Sequence, residues 1–125
     1  MSKNLRKGDI VELAFDLEAT RRGFNISKPT ISALRYDRVL EYNGRLFRVQ
    51  IKCATKRGNY VSASIKHGRN SFYKKEDIDA LAIYIPHLNQ WHLVISSNMP
   101  RTLSFGSKLA INNNWEIFKN ESNQI

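Results

Sequence analysis

Apolar and polar residues alternate along both arms flanking Asn43-Gly44, the strongest short-range signal for a two-residue type I′ turn between antiparallel strands. The arms read as strands over Tyr36–Tyr42 and Arg45–Cys53. A two-residue turn fixes the register: Tyr42 pairs with Arg45, Asp37 falls opposite Gln50, and Lys52 stands one pleat further along the same face. Tyr36, Leu40, Phe47, Val49 and Ile51 then form the buried face, and Arg48 and Glu41 join the polar one.

Three- and four-residue periodicity upstream predicts a helix over 3–22, with Ser2 as N-cap, Gly23 as stop and Arg21-Arg22 in the last turn, where the dipole favours cations. One stripe runs through Leu5, Gly8, Glu12, Phe15 and Ala19. It places a carboxylate inward, which calls for a cation or metal partner, and Gly8 on it would let another backbone approach. The other choice buries Ile10, Val11, Ala14 and Leu17 and leaves Glu12 at the border. Periodicity does not choose between them.

Phe24–Lys28 reads as a short strand and Pro29–Arg35 as a loop. Beyond the hairpin, Arg57-Gly58-Asn59 turns into a strand over Tyr60–Ile65. Ala80–Ile85 and Trp91–Ser96 are strand-like, joined through Pro86–Gln90, and complete the sheet. The acids Glu76, Asp77 and Asp79 are read as a turn or strand entry. Past Pro100 the chain is polar until a terminal helix around Asn113–Asn120, anchored by Trp115, Ile117 and Phe118.

The chain has 125 residues, enough for one domain, 1–125, and too few for two ordinary ones. No apolar run is long enough to span a bilayer and no apolar signal region follows the charged start, so a soluble, cytoplasmic protein is expected. Cys53 is the only cysteine, which excludes an intramolecular disulfide and fits a reducing compartment. The net charge of +9 is lopsided: residues 1–75 hold 17 of the 20 Lys and Arg against six acids. A positive field of this kind attracts polyanions, nucleic acid foremost, although a generally basic solvated surface would share the composition. The stretch 66–75 interleaves cations, amides and aromatics, a mixture suited to phosphate contact and base stacking or simply to a surface loop. His67, His87 and His92 lack ligand spacing with cysteine or acids, which argues against a zinc site.

Taken together, Lys7-Gly8-Asp9-Ile10-Val11-Glu12 on the first helix, Lys28-Pro29, Tyr36-Asp37, Val49-Gln50-Ile51-Lys52 and Asp79-Ala80-Leu81-Ala82-Ile83-Tyr84 resemble the PD-(D/E)XK nuclease superfamily. Within it they are similar to the group I intron-encoded homing endonucleases of cyanobacterial type. Two positions depart from the superfamily pattern: Gln50 stands where an acid is usual, as the intron-encoded group also has it, and Tyr36 stands in place of proline. The resemblance implies a restriction-endonuclease-like α/β core, a central mixed β-sheet flanked by helices. It implies a site-specific endonuclease acting on double-stranded DNA and working as a homodimer or higher homo-oligomer.

The chemistry agrees with that expectation. Phosphodiester hydrolysis calls for a hard divalent ion with oxygen ligands, Mg2+ with Mn2+ as substitute. Asp37 would give an anionic oxygen, Gln50 an amide oxygen, the Ile51 main-chain carbonyl a third ligand and Glu12 a contact through water, while Lys52 would orient water or stabilise the phosphate. Expected DNA contacts are Arg35, Arg57, Lys66, Arg69, Asn70, Lys74 and Lys75. Other readings stay open: a Holliday-junction resolvase with the same trio, a DNA-binding module inactive because of Gln50, or an ordinary polar sheet face with an Asp–Lys pair.

Overall fold

The computed structural model describes residues 3–31, 34–58, 60–64, 76–95, 102–105 and 113–122. Helix α1 (Lys3–Arg21) opens the chain, followed by β1 (Asn25–Ser27), β2 (Arg38–Tyr42), β3 (Arg45–Cys53), β4 (Thr55–Arg57), β5 (Tyr60–Ser64), β6 (Ala80–Ile85), β7 (Gln90–Ile95), β8 (Thr102–Phe105) and α2 (Glu116–Ser122). Strands β1-β2-β3-β6-β7 form a mixed sheet, and β4-β5-β8 form a second, three-stranded one. Within the first sheet only β3 and β6 run parallel. The architecture is α/β.

Both expected local signals act as read. Asn43 and Gly44 have φ of 50° and 80°, the pair of positive angles a type I′ turn requires, and Tyr42 pairs with Arg45 down to Arg38 opposite Val49. Helix α1 stops at Arg21, and Gly23 just beyond it takes a φ of 90°. The Gly23 amide donates to the Thr20 carbonyl at 3.1 Å and the Phe24 amide to the Ala19 carbonyl at 3.0 Å, a Schellman closure that swings Phe24 onto the core.

The main core lies on one face of the five-stranded sheet. There α1 contributes Val11, Phe15 and Ala19, the sheet Leu40, Phe47, Val49, Ile51, Ala80 and Ala82, and the α2 region Trp115 and Phe118. Ile10 and Leu17 are exposed, so α1 buries the stripe through Phe15 and Ala19. Val11 and Ala14, which belong to the other choice, pack with them, while Glu12 is half-buried and Gly8 exposed, so the buried face combines parts of both. Strand β6 is buried on both faces: Ala80 and Ala82 face the helices, Leu81 packs with Ile78, and Ile83 and Ile85 pack with Ala54 and Ala63. Such two-sided burial explains its unbroken apolar run.

Three expectations need correction. The first arm of the hairpin starts at Arg38, not Tyr36, and Tyr36 packs with Ile78, Leu81 and Val94 on the sheet face away from the helices. Arg38, a charged residue, occupies the helix-facing position and is only 4% exposed. The stretch past Pro100, read as polar up to the terminal helix, contains β8, which pairs with Tyr60–Ser64, itself paired with β4, in a sheet separate from the main one.

Candidate active site

The site forms where β2 ends and β3 continues. Successive residues of a strand direct their backbone groups to alternate edges. Arg48 and Ala54 exchange bonds on the β6 side, through the Asp79 amide to the Arg48 carbonyl at 2.8 Å and the Ala54 amide to the Tyr84 carbonyl at 2.8 Å. Residues 49, 51 and 53 therefore address the β2 side. The β2 ladder stops at Arg38–Val49, which leaves Ile51 past its end. Asp37 completes the edge with a side chain: its amide donates to the Val49 carbonyl at 2.9 Å, and its carboxylate Oδ2 accepts the Ile51 amide at 2.9 Å. Asp37 thus lies just beyond the paired residues, and its carboxylate reaches the edge toward which the Ile51 carbonyl also points.

Gln50 and Lys52 flank Ile51 on β3, both half-buried. The Gln50 amide nitrogen is 3.5 Å from the Ile51 carbonyl, the outer limit of a hydrogen bond, so this contact does not fix which end of the amide faces the carbonyl. Burial raises the Asp37 carboxyl above its ordinary value, with the Ile51 amide, Arg38 and Lys52 pulling the other way. Burial also lowers the Lys52 ammonium, against the attraction of Asp37. Each group is under-solvated as an ion, the state in which an opposite charge arriving in the site is most welcome.

The inward carboxylate of α1 finds a cation. Arg38 Nη1 donates to Glu12 Oε1 at 2.9 Å and to the Asp37 main-chain carbonyl at 2.8 Å, while Nε and Nη2 hold Asp16 at 2.8 and 3.0 Å. Burial alone would lower the Arg38 pKa, but Asp16 and Glu12 reverse the sign and raise it. Glu12 borders two recesses, one beside Asp37, Tyr36 and Lys28 and the other beside Ile51, Lys52 and Lys7. It therefore stands between the two ends of the proposed site. Arg38 and Asp16 were not foreseen, yet the signal existed: two acids one helical turn apart on α1, and a strand position whose alternation with Leu40 and Tyr42 turns Arg38 toward them.

Asp37, Gln50, Ile51 and Lys52 converge at one strand edge, with Glu12 facing it from α1. Arg35 is exposed and its Nη1 bonds Asp77 at 2.7 Å. Arg57 closes β4, and its side chain is outside what is described. Lys66, Arg69, Asn70, Lys74 and Lys75 lie outside the described residues. Asp79 and Glu76 serve Arg48, whose Nε is 3.1 Å from the Asp79 carboxylate and whose Nη1 donates to the Glu76 carbonyl at 2.8 Å. Among the described residues no three His, Cys, Asp or Glu side chains cluster as a metal site. A cation here would draw on Asp37 together with neutral oxygens from Gln50 and Ile51, an all-oxygen set that fits a hard ion.

A family model described as PD-(D/E)XK endonuclease matches residues 2–114. Among solved structures, the bacterial homing endonuclease I-Ssp6803I aligns with a TM-score of 0.70 at 22% identity, over 85% of this chain and 77% of that one. At that identity the likeness speaks for the fold. No curated protein sequence matches.

Proposed function

The chain belongs to the PD-(D/E)XK endonuclease family, and from that premise we propose that it is a Mg2+-dependent, site-specific endonuclease of homing type acting on double-stranded DNA. The observation that carries this reading is the Asp37–Ile51 bond of 2.9 Å, which brings a carboxylate to the strand edge shared by the Ile51 carbonyl and flanked by Gln50 and Lys52. Asp37, the Gln50 amide oxygen and the Ile51 carbonyl would hold the ion, with Glu12 contributing through water. The bound cation would supply Lewis acidity at the scissile phosphate and acidify a water for attack.

The protein's own groups do the rest. Lys52, half-buried beside Asp37, offers a cation with little competing hydration to the charge that builds on the phosphate oxygens. Its lowered pKa also suits it to orient the attacking water. Arg38 draws Glu12 and the Asp37 main chain onto one guanidinium and so fixes α1 against the site. With one carboxylate replaced by Gln50, substrate phosphate is needed to complete the ion's surroundings, and binding of free metal is weak.

The chain works as a single domain with one catalytic set, so prompt cutting of both strands requires two copies with matched symmetry, as a homodimer or larger homo-oligomer. Among the described residues no helix is long and apolar enough to cross a membrane, and a cytoplasmic setting fits access to DNA. A second reading, DNA binding without cleavage, draws on Gln50 and on the capture of Glu12 by Arg38.

Incubating a genomic DNA pool and a synthetic four-way junction with the protein, in Mg2+ and in EDTA, separates the readings. Metal-dependent ends at a few discrete duplex sites support the homing-type assignment. Cutting confined to the junction would replace it with a resolvase. DNA retention without cutting, repeated on DNA carrying the protein's own flanking gene sequence, would favour the binding module.

A further inference from the structure

Two neighbouring recesses, the first of them bordered by Lys52, share Lys7 and Cys53 in their walls. One is lined by Lys7, Gly8, Glu12, Ile51, Lys52 and Cys53, the other by Lys7, Cys53, Lys56, Pro86 and His87 among others. Together they make a groove that starts at Lys52 and runs between the first turns of α1 and β4. Its ionic lining is cationic except for Glu12, whose Oε1 is occupied by Arg38. Lys7 and Lys56 are exposed, and among the described residues no carboxylate lies within ion-pair distance of either.

Gly8 is a second, independent observation. It sits inside α1, where glycine is less favourable than alanine by about 1 kcal/mol. A Cβ built there meets no atom of the described residues within 4 Å beyond its own helix backbone and chain neighbours, so packing among those residues does not demand glycine. The bare backbone lines the recess together with Lys7 and Lys52, which leaves open space there for a ligand.

We propose that this groove carries the phosphodiester backbone of the cut strand beside the scissile phosphate, with Lys7 and Lys56 each neutralising a phosphate and Gly8 giving the strand room to lie against α1. Duplex DNA is the ligand, and its phosphates are the recognised chemistry. Contacts of this kind set the register of the DNA on the protein without reading bases. They place the backbone track on the α1–β4 side, in recesses that Arg35 does not line. The inference rests on the endonuclease reading.

The test is duplex binding by fluorescence anisotropy in EDTA across a series of salt concentrations, with cleavage in Mg2+ measured in parallel. Each phosphate contact contributes about 0.9 to the slope of log affinity against log salt. Lys7→Ala/Lys56→Ala is expected to flatten the slope by about 1.8 and weaken binding on the order of tenfold, and Lys7→Arg/Lys56→Arg to restore the slope. Gly8→Leu, a good helix former on an exposed position, should weaken binding without a fall in melting temperature. Wild-type slope and affinity in the alanine and leucine variants, with wild type still binding and cutting DNA, would overturn the groove and leave the enzyme reading standing. Wild type that neither binds nor cuts duplex DNA would remove both.

Discussion

The Asp37 carboxylate accepts the Ile51 amide at 2.9 Å, filling with a side chain the place a further β2 residue would take. That bond ties the anionic oxygen of the site to the backbone of β3, and it makes the position of Asp37 a consequence of where the hairpin ladder ends.

Ionised Asp37 should cost the metal-free protein stability. Burial lifts its carboxyl above 3.8 in the folded state, over the opposing pull of the Ile51 amide, Arg38 and Lys52. The folded state then binds the proton more tightly than the unfolded one, so stability falls as pH rises through the interval above 3.8 and stays lower at neutral pH. Asp37→Asn keeps an acceptor for the Ile51 amide and removes the charge. In EDTA at pH 7 it should melt at a higher temperature than wild type, with the gap closing as the pH falls toward 3.8, and it should lose cleavage. Thermal unfolding against pH checks this, and a variant less stable at pH 7 would contradict it.

Lys52→Ala should slow single-turnover cleavage by about 10²–10³-fold, the usual cost of losing one group that meets transition-state charge. Its ammonium is under-solvated by burial and attracted by Asp37, so the rate is to be read below the melting transition of the variant. Rates at saturating enzyme separate a catalytic loss from weaker DNA binding. Slowing no greater than the loss of affinity would remove Lys52 from the chemistry.

The hairpin was legible because its code is local: Asn43 and Gly44 select the turn, and the turn sets every pair from Tyr42–Arg45 to Arg38–Val49. The Asp37, Gln50 and Lys52 neighbourhood follows from that register. The second sheet was not legible, since β8 pairs with β5 across a long stretch of chain and a four-residue strand carries little pattern of its own. Strict alternation puts Tyr36 on the helix-facing side, but the ladder stops at Arg38–Val49, and past that point the chain turns Tyr36 toward Ile78 and Leu81. Arg38 was missed because alternation sorts by polarity, whereas a buried guanidinium is permitted by partners supplied from a distant helix.

Those partners make Arg38 costly to remove. Arg38→Ala would leave Glu12 and Asp16 facing each other without the cation that bonds both. Both carboxylates keep some contact with water, so the loss should fall near the lower end for a broken buried pair, about 3 kcal/mol. Urea denaturation at pH 7 measures it, and a loss within the range of ordinary surface substitutions would show the network to be incidental.

Phe118 is fully buried, with its ring 5.1 Å from Phe47 and 5.9 Å from Phe24. Phe118→Ala should therefore destabilise by about 3–5 kcal/mol. Its ring contacts include Phe24, Phe47 and Trp115, none of which is assigned to the ion or the phosphate, so cleavage per folded molecule should be unchanged below the melting transition. Unfolding curves combined with rates corrected for the folded fraction would show whether α2 is scaffold, as expected, or part of the site.

The most direct test of where the ion sits is backbone scission by iron. With Fe2+ in place of Mg2+, in the presence of bound duplex DNA, ascorbate and peroxide, radicals produced at the ion cut the nearest peptide. The cuts should fall beside Asp37 and between Gln50 and Lys52, and should disappear in Asp37→Asn. Cuts confined to another part of the chain, or unchanged by that substitution, would contradict the assignment of the Asp37–Ile51 edge as the catalytic centre.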